Sequence, residues 1–142
     1  MKNKTDHGGV KAHVIKQLQI LIKLAKIDGH YVQEEKTLIR KFSERYNIDP
    51  GVLRAFERNS EAVYESVSDF SMDEKVELLY NTVALVTVDK HIMPSEIIYC
   101  QEIASKLGFR RSAVQAMLPL VNSQSLELVN YKMIKRKISP YL

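Results

Sequence analysis

The sequence predicts an all-α domain of about seven helices, in which two helix-turn-helix units pack around two central helices about a pseudo-twofold axis. Two observations carry that expectation. The stretch from Leu24 to Glu35 returns 61 positions later, the spacing from Asp28 to Asp89, as the stretch from Leu85 to Glu96. Leu24/Leu85, Asp28/Asp89, His30/His91 and Glu35/Glu96 are identical between the copies, while Ile22/Val83, Ile27/Val88, Val32/Met93 and Phe42/Ile103 stay apolar. No run of alternating apolar and polar residues is long enough for a sheet.

Local signals justify each element in turn. Residues 1–9, polar and carrying Gly8-Gly9, read as a flexible leader. From Val10 onward Val14, Leu18, Leu21, Ile22 and Ala25 recur at helical spacing. Ile15, Ile20, Leu24 and Ile27 widen that apolar arc, with Lys16, Gln19, Lys23 and Lys26 on the wet side. So broad an arc places this helix at the centre of the core. Asp28-Gly29 ends it, because glycine readily takes the left-handed conformation that stops a helix. A second helix starts near Gln33, where Glu34 and Glu35 complement the positive end of the helix dipole. It turns Leu38, Phe42 and Tyr46 inward, leaves Lys36, Arg40, Lys41 and Glu44 outside, and stops at Asn47. Asp49-Pro50 restarts the chain, Asp as N-cap and Pro at the first helical position, for a helix carrying Val52, Leu53 and Phe56. Ala62, Val63, Tyr64 and Val67 either extend it or form a short helix in the connector between the units.

The second unit opens on the capping box Ser71-Met72-Asp73-Glu74. The helix behind it, Lys75 to Val88, is apolar nearly all round through Val76, Leu79, Tyr80, Val83, Ala84 and Val86, as the partner of the first helix. Its turn, Asp89-Lys90-His91, lacks the glycine, and Pro94 opens the next helix. That helix shows Ile97, Ile98, Cys100, Ile103, Ala104 and Leu107 and ends at Gly108, where its counterpart ends at Asn47. Glycine and asparagine are the residues preferred there. Arg111 to Val121 matches the Pro50 helix, with Ala113, Val114, Met117 and Leu118 apolar and Pro119 weakening its end. A last segment from Ser125 holds Leu126, Leu128, Val129, Met133 and Ile138 and is closed by Pro140. One domain thus spans 10–138, with repeat one at about 10–60, repeat two at about 71–121 and a tail at 139–142.

Composition narrows the function classes. Apolar residues at 45% and charged residues at 27% are ordinary globular usage and argue against a disordered chain. The single Cys100 rules out an intrachain disulfide and any cysteine-cluster metal site. No signal peptide is recognisable, and the apolar run after Gly9 is broken by Lys16, Lys23 and Lys26, so the chain reads as cytoplasmic. A net charge of +4 permits an anionic partner without demanding one.

With both acidic turns placed, the chain resembles the tellurite-resistance TerB family and the wider TerB-like domains. The residues that carry the match are Ala25 to Gly29 with Glu35, and Val86 to Asp89 through Glu96 to Leu107-Gly108-Phe109, within a stretch from about Leu18 to Leu120. Lys90 replaces the second glycine, and Val32 falls one place after the usual apolar position, where Tyr31 stands. The resemblance implies a compact helical domain linked to tellurite and other chemical or envelope stress, with acidic turns associated with metal binding and a scaffolding role rather than catalysis. A protein partner is expected, at the inner membrane surface in the membrane-associated case, and apolar faces this broad permit a homodimer.

The acidic turns admit several chemistries. Asp28-Gly29 with Glu35 has the spacing of the second half of a calcium-binding EF-hand loop, but Leu24 and Lys26, like Leu85 and Thr87, stand where acids are needed. Asp28, Glu35, Asp89 and Glu96 could still hold a divalent metal ion together, with His30 and His91 as nitrogen ligands favouring zinc or another transition metal. The competing role is structural: carboxylates at helix starts bind free backbone N–H groups. A metal-dependent hydrolase built on Asp28, His30, Glu35 and their counterparts is the enzymatic alternative, although no nucleophile elbow, phosphate loop or HExxH pattern is present. Cys100, mid-helix on an apolar face, reads as an inert core thiol.

Lys132, Lys135, Arg136 and Lys137 form the one clear block of a single sign. They are candidates for anion binding, to nucleic acid or to an anionic membrane surface, with Ile134, Ile138, Tyr141 and Leu142 available to insert beside them and Arg110-Arg111 to extend the patch. The absence of interleaved aromatics argues against nucleic acid and for a solvated charged face.

Overall fold

The computed structural model describes residues 12–27, 29, 31–58, 67, 69–88, 92–122 and 129–142. Among them are seven α-helices and no strand: α1 (Ala12–Ala25), α2 (Gln33–Arg45), α3 (Pro50–Arg58), α4 (Met72–Thr87), α5 (Pro94–Lys106), α6 (Ala113–Asn122) and α7 (Tyr131–Ile138). A 3-10 turn, Ser139–Tyr141, follows α7. The fold is all-α. The leader 1–9, the connector residues Ala62, Val63 and Tyr64, and Leu126 and Leu128 lie outside the described residues.

The hub is α4, which packs against α1, α2, α5, α6 and α7. Contact on so many sides is why its sequence is apolar nearly all round: Val76, Leu79, Tyr80, Val83, Ala84, Leu85 and Val86 are all buried. Its start is the predicted capping box, Ser71 Oγ accepting from Glu74 N at 3.2 Å and Glu74 Oε1 from Ser71 N at 2.8 Å. The box takes up two of the backbone N–H groups that a helix start leaves free. α1 lies along α4 and also meets α2 and α3. Nine of its fourteen residues are buried, so its lysine side is a narrow seam. Ile27 departs from expectation. The helix stops at Ala25, so Ile27 leaves the apolar arc and is exposed.

Both stops fall where predicted. Asn47 (φ 57°) and Gly108 (φ 90°) take the left-handed conformation. Ile48 N then bonds Ser43 O at 2.9 Å and Phe109 N bonds Ala104 O at 2.8 Å, closing each helix end with a buried apolar residue. Asp49 Oδ1 accepts from Gly51 N at 2.7 Å, capping α3 as the Asp49-Pro50 pair predicts. Pro119 lies inside α6, which runs three residues beyond it. Proline removes one N–H and crowds the carbonyl four residues back, while the buried Met117 and Val121 anchor the helix on either side of it. The last helix is shorter than the segment from Ser125 suggested: it starts at Tyr131, where Asn130 Oδ1 accepts from Met133 N at 3.0 Å.

Candidate functional site

The acidic turns were the candidate metal centre, and the structure describes one carboxylate of each. Glu35 and Glu96 occupy equivalent places, the third residue of α2 and of α5, and both are buried at 3% and 4% exposure. Glu35 Oε1 accepts from Val32 N at 3.3 Å, and Glu96 Oε1 accepts from Met93 N at 2.9 Å. Each is half a capping box: the glutamate reaches back to the N-cap amide, while Val32 and Met93 carry no oxygen to return the bond. Burial of an acid at this point is tolerated because the amide and the helix dipole both favour negative charge. Asp28, His30, Asp89 and His91 lie outside the described residues, and no group of three or more potential metal ligands occurs among the residues that are described.

Around this shared device the two turns differ. The first is tied down: Tyr31 donates its hydroxyl to Glu57 Oε2 at 2.7 Å, and Lys26 donates to the Glu57 carbonyl, fastening the start of α2 to the end of α3. Lys26 and Lys36 also stand over the Tyr31 ring, 5.9 Å and 5.2 Å from its centre. Burial, and then Glu57, hold the Tyr31 hydroxyl well above its ordinary pKa, so it remains a donor. The described residues after the second turn expose apolar side chains. Ile92 and Met93 are each 44% exposed, and Ile98, which the sequence places among the residues of an apolar face, is 52% exposed.

The basic block is a helix with two distinct faces. Lys132, Lys135, Arg136 and Lys137 are exposed, and Lys135 Nζ pairs with Asp73 Oδ1 at 2.9 Å. Ile134 and Ile138 are fully buried against the core, which corrects the expectation that they insert into a membrane: α7 needs that face to pack on α4 and α6. Arg110 is brought to the same end of the molecule, its backbone N–H donating to Tyr141 O at 2.6 Å. Among the described residues no helix is long and apolar enough to cross a membrane.

Cys100 is the expected core thiol. It is fully buried, its Sγ donates to Thr82 O at 3.8 Å, and burial pushes its pKa up to about 12. Sequence reasoning missed a polar chain through the hub, buried at Asn81 and Gln17 and half-buried at Glu77 and Tyr46. Asn81 Nδ2 donates to Gln17 Oε1 at 3.2 Å, Gln17 Nε2 donates to Glu77 Oε1 at 2.9 Å, and Tyr46 donates its hydroxyl to Glu77 Oε2. The available signal was Gln17 itself, a polar residue one position before Leu18 and three after Val14 on the widened apolar arc of α1.

Compared with protein-family models, curated proteins and solved structures, the chain matches none of them.

Proposed function

We propose that this protein is a non-catalytic, TerB-like helical module that binds a protein partner in the response to tellurite or envelope stress, through the surface around its second acidic turn. The observation that carries the reading is the exposure of Ile92 and Met93, just before α5, and of Ile98 within it, next to an N-cap amide held by the buried Glu96. Large apolar side chains left exposed are what a partner surface can cover. The equal spacing of the two units supports the TerB-like part: α2 and α5 span 33–45 and 94–106, an offset of 61 at both ends, and Asn47 and Gly108 keep that offset. The metal-hydrolase alternative loses ground because Glu35 and Glu96, two of its groups, are spent on backbone amides.

Disruption of the gene in its own host tests the assignment. Survival under tellurite falls and returns with the wild-type gene but not with an Ile92→Ser/Ile98→Ser variant that still folds. Unchanged survival overturns the stress role, and full rescue by the variant overturns the surface. Elemental analysis of the purified protein tests the metal separately: stoichiometric metal that an Asp28→Ala/Asp89→Ala variant loses makes the turns a metal site.

A second reading rests on the wet face of α7, where Lys132, Lys135, Arg136 and Lys137 stand exposed at the same end of the molecule as Arg110. It assigns that face to an anionic surface. Alanine at the four positions then abolishes salt-sensitive binding to anionic vesicles, and undiminished binding overturns it.

A further inference from the structure

Between α2, α4 and the residues that lead into α7 lies a cavity of about 420 Å³, within the range of sites for small organic molecules. Leu38 and Phe42 from α2, Tyr80 from α4, and Val129 and Tyr131 opposite give it mostly apolar walls. Lys41, Glu44 and Arg45, all exposed, stand at its solvent side and leave one positive charge in excess.

Two hydroxyls distinguish this space from a packing defect. Tyr80 is 0% exposed and its hydroxyl has no hydrogen-bond partner. The Tyr131 hydroxyl is likewise buried, with Arg45 as its hydrogen-bonding neighbour and no acceptor for its proton, and the two rings meet edge to face with centres 5.6 Å apart. Leaving a buried phenol unsatisfied costs free energy, and two in one cavity point to an acceptor that completes them. Glu77, whose charge also bears on Tyr131, accepts from Gln17 and Tyr46 and makes no hydrogen bond with either phenol of the cavity. Burial raises the pKa of both phenols, so each is a proton donor at neutral pH. Arg45 opposes that rise at Tyr131, which brings its positive charge to bear on the same hydroxyl.

We propose that this cavity binds a small carboxylate with an apolar body. The body lies against Leu38, Phe42, Val129 and the tyrosine rings; the carboxylate accepts from the Tyr80 and Tyr131 hydroxyls, and Arg45 and Lys41 balance its charge. The acidic turns play no part, so the site stands or falls apart from the TerB-like reading.

Calorimetric titration of the full chain with decanoate, with 2-naphthoate and with the neutral 2-naphthalenemethanol tests this. One carboxylate saturates a single site per chain, decanoate indicating an aliphatic ligand and 2-naphthoate an aromatic one. Tyr80→Phe keeps the ring and removes only the unpartnered hydroxyl, so the variant folds with an equal or higher melting temperature. It weakens carboxylate binding about tenfold, the loss of one charge-assisted hydrogen bond. Arg45→Gln, on the exposed edge, weakens the carboxylate but not the alcohol. Failure of both carboxylates to saturate, or a Kd that Tyr80→Phe leaves unchanged, overturns the proposal; equal losses for carboxylate and alcohol in Arg45→Gln overturn the assignment of charge.

Discussion

Glu35 and Glu96 are single side chains on which both the fold and the candidate metal chemistry turn. Each is buried and each accepts its own N-cap amide. Removing the acceptor strands that amide, so Glu35→Ala and Glu96→Ala each lower stability by about 1–3 kcal/mol, as read by urea denaturation. Glutamine keeps an acceptor oxygen and loses the charge. Glu35→Gln and Glu96→Gln therefore retain most of the stability, whereas a metal that needs these carboxylates is lost in both kinds of variant. Cys100 gives a pH-dependent prediction. Its folded pKa of about 12 lies above the ordinary 9.0, so folding favours the protonated thiol. That contribution is fully present below pH 9 and is lost as pH rises toward 12. Cys100→Ala therefore shows a shallower alkaline loss of stability than the wild type, and the native thiol resists iodoacetamide at pH 8 but reacts once the chain is unfolded.

At the scale of the element, the equivalent helix ends α2 and α5 are closed by different residues in one conformation, with φ of 57° at Asn47 and 90° at Gly108. A Cβ at Gly108 meets no atom within 4 Å, so Gly108→Ala is opposed by backbone conformation alone and not by crowding. It destabilises by about 1–2 kcal/mol. Asn47→Gly runs the other way, relieving a side chain of a left-handed position, and raises the melting temperature slightly. Thermal unfolding of the two variants checks the opposite signs. α7 shows how an element's two faces divide its roles: Ile134 and Ile138 seal the core, which leaves only the lysine and arginine face for a partner.

Across the whole molecule, one polar chain runs through the hub, from Asn81 through Gln17 and Glu77 to Tyr46, linking α4, α1 and the end of α2. Gln17→Ala removes the middle of it and leaves Asn81 and Glu77 each short of a partner, at a cost of about 2–4 kcal/mol in urea denaturation. Gln17→Leu costs about as much, because an apolar side chain of similar size fills the space but cannot bond the groups left behind. Much of the architecture was legible beforehand. Helical periodicity, the Ser71 capping box, Asp49-Pro50 and the stops at Asn47 and Gly108 are decided by residues a few positions apart, and the sequence determined them without reference to the rest of the chain. What only the tertiary structure decided are the meetings of distant residues. Gln17 finds Glu77 and Asn81, Arg110 reaches Tyr141, and Tyr80 and Tyr131 enclose a cavity with Phe42. Periodicity assigns a residue to the buried side of its own helix; which side chain it meets there depends on how helices far apart in sequence dock, and no local spacing encodes that.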